Sequence, residues 1–160
     1  MKTRDTIGYQ SKWTIQKYAD EAAYGRGEPF EVAEVRGNLL LNEGIGALLG
    51  LLTGAAETAY DNAGARLGVG DSGTAEDASQ TGLQGASTLY KAMDTGYPSV
   101  SGQTVTFRSV FDGTEANWDW NEFGVDNGAS AGKNLNRKVS AQGTKASGQT
   151  WTLKLDITFS

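Results

Sequence analysis

The segment TWTLKLDITF at positions 150–159 alternates apolar and polar residues with a period of two. Its apolar members, which are Trp151, Leu153, Leu155, Ile157 and Phe159, fall on one face, and the opposite face carries Thr, Lys, Asp and Thr. Successive side chains of a β-strand point to opposite sides, so this pattern is typical of a strand with one face buried. The segment therefore predicts a half-buried strand, and it is the clearest secondary-structure signal in the chain.

Similar short segments recur along the sequence and are separated by turn-forming residues. The chain has 22 glycines and two prolines, and many of the glycines stand beside Ser, Thr, Asn or Asp, as in β-rich domains. The further predicted strands are PFEVAEVRGN, ARLGV, TLYKAM, QTVTFRSVF, NWDWNEFGV and LNRKV. Six or seven strands with short turns predict a mainly β fold, an antiparallel β-sandwich or barrel of jelly-roll-like type.

One helix is predicted near residues 43–53. Asn42 is a suitable N-cap, and Gly54 is well placed to end the helix. Three glycines inside the segment each weaken it by roughly 1 kcal/mol relative to alanine, so the helix depends on what it packs against. The apolar residues at helical spacing, which predict the packed face, are Ile45, Leu48, Leu49 and Leu52.

Residues 1–37 are interpreted as an N-terminal arm plus a first strand, and residues 38–160 as the β-sandwich domain. The segment from Ser11 to Gly25 has two readings, a short helix or an extended arm. Aromatic side chains in a weakly structured terminus usually pack on a surface, which is either a neighbouring subunit or the chain's own domain. The residues predicted to make such partner contacts in this segment are Trp13, Ile15, Tyr18 and Tyr24.

Composition excludes several kinds of site. The chain has no cysteine and no histidine, which removes disulfides, thiol nucleophiles, zinc–thiolate sites and the commonest general base. The formal net charge of −5 argues against nucleic acid as a partner, because phosphate neutralisation supplies most of that affinity. No signal peptide or segment of about 20 apolar residues is present, so we expect a soluble protein that does not associate with membranes. No cofactor, metal or catalytic residue is predicted.

The stretch LGVGDSGT at 67–74 carries two motif-like spacings. Gly68, Gly70 and Gly73 fit G-x-G-x-x-G, but no helix or parallel βαβ unit follows, so the dinucleotide-binding interpretation fails. Ser72 in Gly-Asp-Ser-Gly resembles a protease nucleophile, but the chain has no histidine to take its proton. The stretch is interpreted as a turn rich in small residues.

Acidic residues do not form a recognisable metal site. Asp71, Glu76 and Asp77 lie close in sequence but do not match the EF-hand pattern. Asp119 and Glu122 are expected on opposite faces of a strand, so their carboxylates cannot converge. Solvated loop carboxylates are the favoured interpretation.

Trp118 and Trp120 share one face of a predicted strand. Two aromatic residues at this spacing are most often part of a core, and the alternatives are an inter-subunit contact or a platform on which sugars stack. We keep both residues as candidate partner contacts. Glu122 follows on the same face and, if that face is buried, needs a cationic partner, Arg137 or Lys138.

An ordered series of motifs runs through the last three quarters of the chain. These are GNLLLNEGI, YDNAGARLGVGDS, TGLQGAS, YKAMDTGYPSVSGQTVTFRSVF, NWDWNEFGVDNGAS, LNRKV and GTKASGQTWTLKLDITFS. Over about residues 38–160 the chain resembles a family of small virion proteins of tailed bacteriophages. The EFGVDN segment also resembles a stretch of fibre-associated β domains, with Asp126 in place of the usual aromatic residue.

The resemblance implies a structural, non-enzymatic protein located in the virion. One expected role is capsid decoration (cement), with the major capsid protein as partner and a homo-oligomer, commonly a trimer, as the assembled form. The alternatives are a tail-fibre, collar or head-fibre attachment protein and, less favoured, a carbohydrate-binding module. The sequence ends at Ser160, directly after a predicted core strand, which favours a self-contained decoration module.

Overall fold

A computed structural model describes residues 5–128 and 132–160. Within these residues, the elements in chain order are β1 (Tyr9–Tyr18), α1 (Glu21–Arg26), β2 (Glu31–Arg36), β3 (Leu39–Leu40), α2 (Asn42–Thr53), β4 (Arg66–Gly70), β5 (Thr88–Ala92), β6 (Ser99–Ser101), β7 (Thr104–Phe111), β8 (Glu122–Asp126), β9 (Asn134–Val139) and β10 (Thr150–Phe159).

The strands form two antiparallel sheets of five strands each. The first sheet has the order β2-β1-β10-β7-β6, and the second has the order β3-β9-β8-β4-β5. One buried cluster contains side chains from both sheets, including Trp13 and Leu155 from the first and Leu67 and Phe123 from the second. The predicted mainly β fold, a β-sandwich, is confirmed.

The alternating strands present the faces that their sequences predict. Phe107, Ser109 and Phe111 of β7 are buried, while the intervening residues are partly exposed. In β10, Leu153, Leu155 and Ile157 are buried at the same period of two. Phe159, which was predicted on the same buried face, is exposed at the end of the strand. The period-two rule therefore identified the core side of both strands.

The N-terminal segment is not an arm. Strand β1 pairs with β10 along its full length and with β2 on its other side, so it is an interior strand of the first sheet. Trp13 lies opposite Leu155, and Ile15 lies opposite Leu153. The expectation of an arm preceding residue 38 is wrong for the described residues, and so is the expectation of a helix beginning at Ser11. The two apolar residues are two positions apart, which is a strand spacing.

A short helix does follow β1. The Asp20 carboxylate accepts a hydrogen bond from the Ala23 backbone N–H at 2.7 Å and caps the first turn of α1. Gly27 ends the helix in the left-handed conformation, with φ at 68°. The helical part of this segment is thus confined to residues 21–26.

Helix α2 lies where the sequence predicted a helix, but the face that packs against the sandwich is not the predicted one. Gly54 ends it with φ at 72°, as expected. Gly44 and Ala47 are the buried residues, and a Cβ built on Gly44 would lie 2.4 Å from Leu135 Cα of β9. The close approach of α2 to β9 therefore requires small residues on the inner face of the helix. Ile45, Leu49 and Leu52 were predicted on that inner face, and the prediction is wrong because all three are exposed.

The start of α2 also differs from the prediction. Leu41, not Asn42, occupies the N-cap position, and no side chain caps the helix there. The Glu43 carboxylate in the first turn accepts a hydrogen bond from the Asn134 backbone N–H at 2.7 Å. This contact fastens the start of α2 to β9.

Strand β8 is shorter than predicted, and in addition to β1 two short strands were missed. Residues 118–120 are irregular, apart from a bridge between Asp119 and Thr144, and the strand begins at Glu122. The strands β3 and β6, of two and three residues, were not predicted. Segments this short carry too few residues for a period-two pattern to be recognised.

Candidate interaction surfaces

Four of the six residues predicted as partner contacts are buried in the core. Trp13, Ile15 and Trp120 have no exposed surface, and Tyr18 has almost none. Tyr24 and Trp118 are partly exposed. These four residues cannot contact a partner at the surface of the folded chain. For Trp13, Ile15 and Tyr18 the partner-contact prediction is wrong, and the alternative, packing on the chain's own domain, is right. For Trp120 the favoured interpretation, a core residue, is confirmed.

The indole of Trp120 is fixed on several sides. Its ring meets Phe111 edge-on at 4.9 Å and Trp151 at 5.0 Å between centroids. Its Nε1–H donates to the Ala116 carbonyl oxygen at 3.0 Å. Trp118 is only partly buried and packs against the outside of this cluster. The two indoles therefore form no exposed platform for a sugar ring.

The glycines at 68 and 70 belong to a strand. Both lie in β4 and neither has a positive φ, so the turn interpretation is wrong for the first half of LGVGDSGT, and residues 71–74 after the strand have no regular secondary structure. A Cβ on Gly68 would lie 2.6 Å from the Tyr90 ring, and one on Gly70 would meet the Glu122 carboxylate. The Ser72 hydroxyl hydrogen-bonds with the Thr74 hydroxyl at 2.9 Å and accepts from its backbone N–H at 3.0 Å. These contacts make Ser72 a turn residue.

Residues 71–87 fold back over the outer face of the second sheet, where a buried ion pair holds them. The Arg137 Nε donates to Glu122 Oε2 at 2.7 Å, and both side chains are fully buried. Glu122 also accepts hydrogen bonds from the backbone N–H groups of Gln84 and Gly85. The expectation that Glu122 pairs with Arg137 is confirmed.

The guanidinium of Arg137 also donates hydrogen bonds to residues of the 71–87 segment. Its Nη1 donates to the carbonyl oxygen of Thr74 at 2.9 Å and to the amide oxygen of Gln80 at 3.0 Å. Charged groups buried in this way must be paired and hydrogen-bonded. The pair therefore acts as a structural clamp on residues 71–87.

A polar cleft of about 460 Å³ lies beside this segment, lined by residues that include Arg66, Tyr90, Asp126 and Asn134. Arg66 forms an ion pair with Asp126, and the Tyr90 hydroxyl donates to Asn134 Oδ1 at 2.8 Å. Burial raises the pKa of the Asp126 carboxyl and raises the pKa of Tyr90 to about 12. The side chains that line this cleft therefore already bind one another.

Lys145 forms a second buried polar centre. Its ammonium donates to the carbonyl oxygens of Asp112 at 2.6 Å and Glu115 at 2.9 Å, and to Asn117 Oδ1 at 2.8 Å. Burial lowers the pKa of Lys145 to about 8. The lysine ties together residues 112–117, the connection between β7 and the Trp118–Trp120 segment.

Among residues 5–128 and 132–160, two groups of exposed apolar side chains lie outside the core, and Phe30 and Val32 are exposed as well. The first, which we call the end groove, lies at one end of the first sheet, has a volume of about 400 Å³ and is lined by Ile7, Val100, Gly102, Gln103, Thr104, Val105, Phe159 and Ser160. Ile7 and Val100 are 79% and 76% exposed. Single exposed apolar residues are common, whereas exposed apolar residues gathered around one groove make that groove a candidate interaction site.

The second surface, which we call the α2 face, consists of Ile45, Leu49 and Leu52. Their exposed fractions are 41%, 57% and 81%. The sequence analysis did not predict that the residues of these two surfaces are exposed. Nothing in the sequence around Ile7 indicates exposure, whereas the small residues Gly44 and Ala47, three positions apart, carry the signal for the packed side of α2.

Comparison of the chain with protein-family models, with curated proteins and with solved structures found no match. Among residues 5–128 and 132–160, no three or more acidic side chains come together as a metal site would require. Within the same residues, no helix has the length and apolar character needed to cross a membrane.

Proposed function

We propose that the chain is a non-enzymatic structural protein of a bacteriophage virion that binds the capsid lattice as a decoration (cement) protein. The observation that carries this proposal is the end groove, which is apolar surface left exposed by a sandwich whose core is already filled. The motif resemblance over about residues 38–160 supplies the biological setting. The partner is the major capsid protein, and the assembled form is a homo-oligomer, with a trimer favoured.

The sandwich is suited to bearing load between capsid subunits. The interior strand β1 is hydrogen-bonded on both sides, and the Glu122–Arg137 pair fastens residues 71–87 to the second sheet. A decoration protein bridges neighbouring capsomers and opposes the outward pressure of packaged DNA. In this proposal the end groove receives apolar side chains of the capsid surface.

Imaging of intact virions, with and without this gene, tests the role. The proposal expects density to disappear from the capsid faces and the mutant particles to release their DNA at lower temperature. Density lost at the neck or tail tip, with unchanged capsid stability and impaired adsorption, contradicts the decoration role and supports a tail-fibre or collar protein.

Point variants test the end groove as the contact. We expect Ile7→Gln with Val100→Gln to weaken binding to capsids that lack the protein, because both residues are exposed and each loses apolar contact area. Val32→Thr on β2 is the control, since Val32 is also exposed but lies away from the groove. Equal loss in the control, or unchanged binding of the double variant, would exclude the groove as the contact.

A further inference from the structure

A polar cleft, which we call the Asn38 cleft, lies between the first residues of β1 and the connection from β2 to β3. It has a volume of about 380 Å³ and is lined by Tyr9, Gln10, Ser11, Arg36, Gly37 and Asn38. This volume is in the range of small-ligand sites, whereas a single water takes up about 30 Å³. The Asn38 cleft therefore has room for a ligand of several non-hydrogen atoms.

Three buried donor groups at this cleft have no hydrogen-bond partner within the described residues. They are the Ser11 hydroxyl, the Asn38 Nδ2–H and the Asn136 Nδ2–H. Asn136 is fully buried, and Ser11 is only 6% exposed. A buried polar group without a partner destabilises a fold, so a cluster of three requires an explanation.

The Tyr9 hydroxyl is the point around which these donors gather. It donates to Asn38 Oδ1 at 2.8 Å. Burial raises the pKa of Tyr9, and the side chains of Asn136, Asn38 and Ser11 act in the opposite direction because they lie close to its hydroxyl. Tyr9 and Ser11 are two positions apart in β1, so their side chains share one face of the strand. Both sheets therefore contribute to the cluster, since Asn136 belongs to β9.

The free hydrogen-bonding positions at the cleft are donors. Asn38 Oδ1 already accepts from the Tyr9 hydroxyl. Asn136 Oδ1 already accepts from the Val125 backbone N–H at 3.2 Å. These two bonds fix the orientation of both amides, so each presents its Nδ2–H to the cluster. Of the described residues that line the cleft, Arg36 is the only charged one. The cleft therefore suits a group that accepts several hydrogen bonds and carries negative charge.

We propose that the Asn38 cleft binds a carboxylate group. A carboxylate offers about four acceptor positions, so it accepts from the Ser11 hydroxyl and from the two asparagine amides together. Hydrogen bonds to an ionised acceptor are stronger than those to a neutral one. The carboxylate comes from a small organic acid or from an acidic side chain of another protein, and the contact chemistry is the same. This inference goes beyond the proposed function and does not depend on it.

NMR of the ¹⁵N-labelled full chain, titrated with sodium acetate, tests the proposal. We expect the side-chain amide signals of Asn38 and Asn136 to shift to saturation, with a Kd in the millimolar range because the probe is small. Sodium chloride at the same ionic strength should cause no saturable shift of these signals. Acetamide has nearly the same shape without the charge, and it should bind about tenfold more weakly.

A capped tripeptide with aspartate at its centre distinguishes the two sources of the carboxylate. Tighter binding of this peptide than of acetate indicates an acidic side chain of another protein. Weaker binding of the peptide indicates a small organic acid. Both results support the carboxylate site.

Point variants test the two parts of the site. Ser11→Ala should weaken acetate binding about tenfold, because it removes one donor to an ionised acceptor. The Ser11 hydroxyl has no partner among the described residues, so the variant should keep its fold, checked by thermal unfolding. Arg36→Gln should weaken binding of acetate but not of acetamide, because it removes only the charge.

Arg26→Gln is the matched control, since Arg26 is also an exposed arginine but does not line the cleft. We expect this variant to bind acetate as the wild-type protein does. No saturable acetate shift up to about 100 mM, equal binding of acetate and acetamide, or unchanged binding in Ser11→Ala would each overturn the proposal. Equal loss in Arg36→Gln and Arg26→Gln would overturn it as well.

Discussion

At the scale of single residues, the glycines of LGVGDSGT are explained by packing. Gly68 lies under the ring of Tyr90 and the side chain of Leu83, and Gly70 lies against the Glu122 carboxylate. Gly73, in contrast, has open space around the position of its missing Cβ. The G-x-G-x-x-G spacing therefore reflects two close approaches within β4 and one exposed position after the strand.

The difference in space around Gly68 and Gly73 predicts different effects of the same substitution on stability. Gly68→Ala should lower the free energy of unfolding by about 1–3 kcal/mol, because the added methyl group overpacks the site against Tyr90. Gly73→Ala should change it by less than about 1 kcal/mol. Urea unfolding followed by tryptophan fluorescence measures both, and equal effects at the two positions would contradict the packing explanation.

The buried pair of Glu122 and Arg137 makes a second prediction. Arg137→Met should cost about 3–5 kcal/mol of unfolding free energy, because it leaves a buried carboxylate without its cation. Lys138→Met is the control, since the neighbouring residue is partly exposed, and its cost should stay below about 1 kcal/mol. If Arg137→Met costs no more than the control, the clamp does not stabilise the fold.

A third prediction concerns Asp112 in the turn after β7. The hydroxyl and backbone N–H of Thr114 donate to Asp112 Oδ1 at 2.7 and 2.8 Å, and these bonds lower the pKa of Asp112 below its ordinary value of 3.8. The stabilisation from the ionised carboxylate is therefore present above pH 3.8 and is lost as the pH falls through the lower native pKa.

Thr114→Ala should raise the pKa of Asp112 towards 3.8, because it removes the side-chain hydrogen bond. A ¹³C NMR titration of the carboxyl groups measures the change. Asp77 is the internal reference, since its pKa is lowered by Ser79 and should not move in this variant. An Asp112 that titrates at 3.8 in the unmodified protein would refute the prediction.

At the scale of elements, the sequence predicted the strands better than the helix orientation. The alternation in β7 and β10 identified their buried faces, because a residue's side of a strand depends only on its position. The orientation of α2 depends on a different requirement, the distance between the helix and β9. Gly44 satisfies that requirement, so the larger apolar residues point outwards, contrary to the amphipathic reading.

The inverted orientation of α2 yields a fourth prediction. Gly44→Ala should destabilise the protein by at least about 1 kcal/mol, although alanine is the better helix former, because its Cβ would collide with the β9 backbone. Leu52→Gln should change the free energy of unfolding by less than about 0.5 kcal/mol, because Leu52 is exposed. Thermal unfolding at a concentration where the protein is monomeric compares the two variants. A larger destabilisation by Leu52→Gln than by Gly44→Ala would contradict this orientation of α2 and support the predicted inward placement of Leu52.

At the scale of the whole molecule, the fold class was predictable and the interaction surfaces were not. Turn residues and alternating segments lead to a sandwich, because each such strand must cover an apolar face. Which apolar residues stay uncovered depends on the tertiary arrangement. Trp13 and Ile15 were expected at the surface and lie in the core, whereas Ile45 and Leu49 were expected in the core and lie at the surface.

The buried charged groups hold segments of the chain itself, whereas two groups of apolar side chains stay exposed. The polar groups of the second sheet are used to hold residues 71–87, and the polar groups around Lys145 are used to hold residues 112–117. The end groove and the α2 face remain available for other proteins. In the proposed function, the end groove is the surface that contacts the capsid.

Binding of the purified protein to capsids that lack it tests the central claim most directly. Cosedimentation should saturate at a fixed ratio to the major capsid protein, and the loaded particles should withstand a higher temperature before releasing DNA. Absence of saturable binding to capsids, with binding to isolated tails or fibres under the same conditions, would contradict the decoration role.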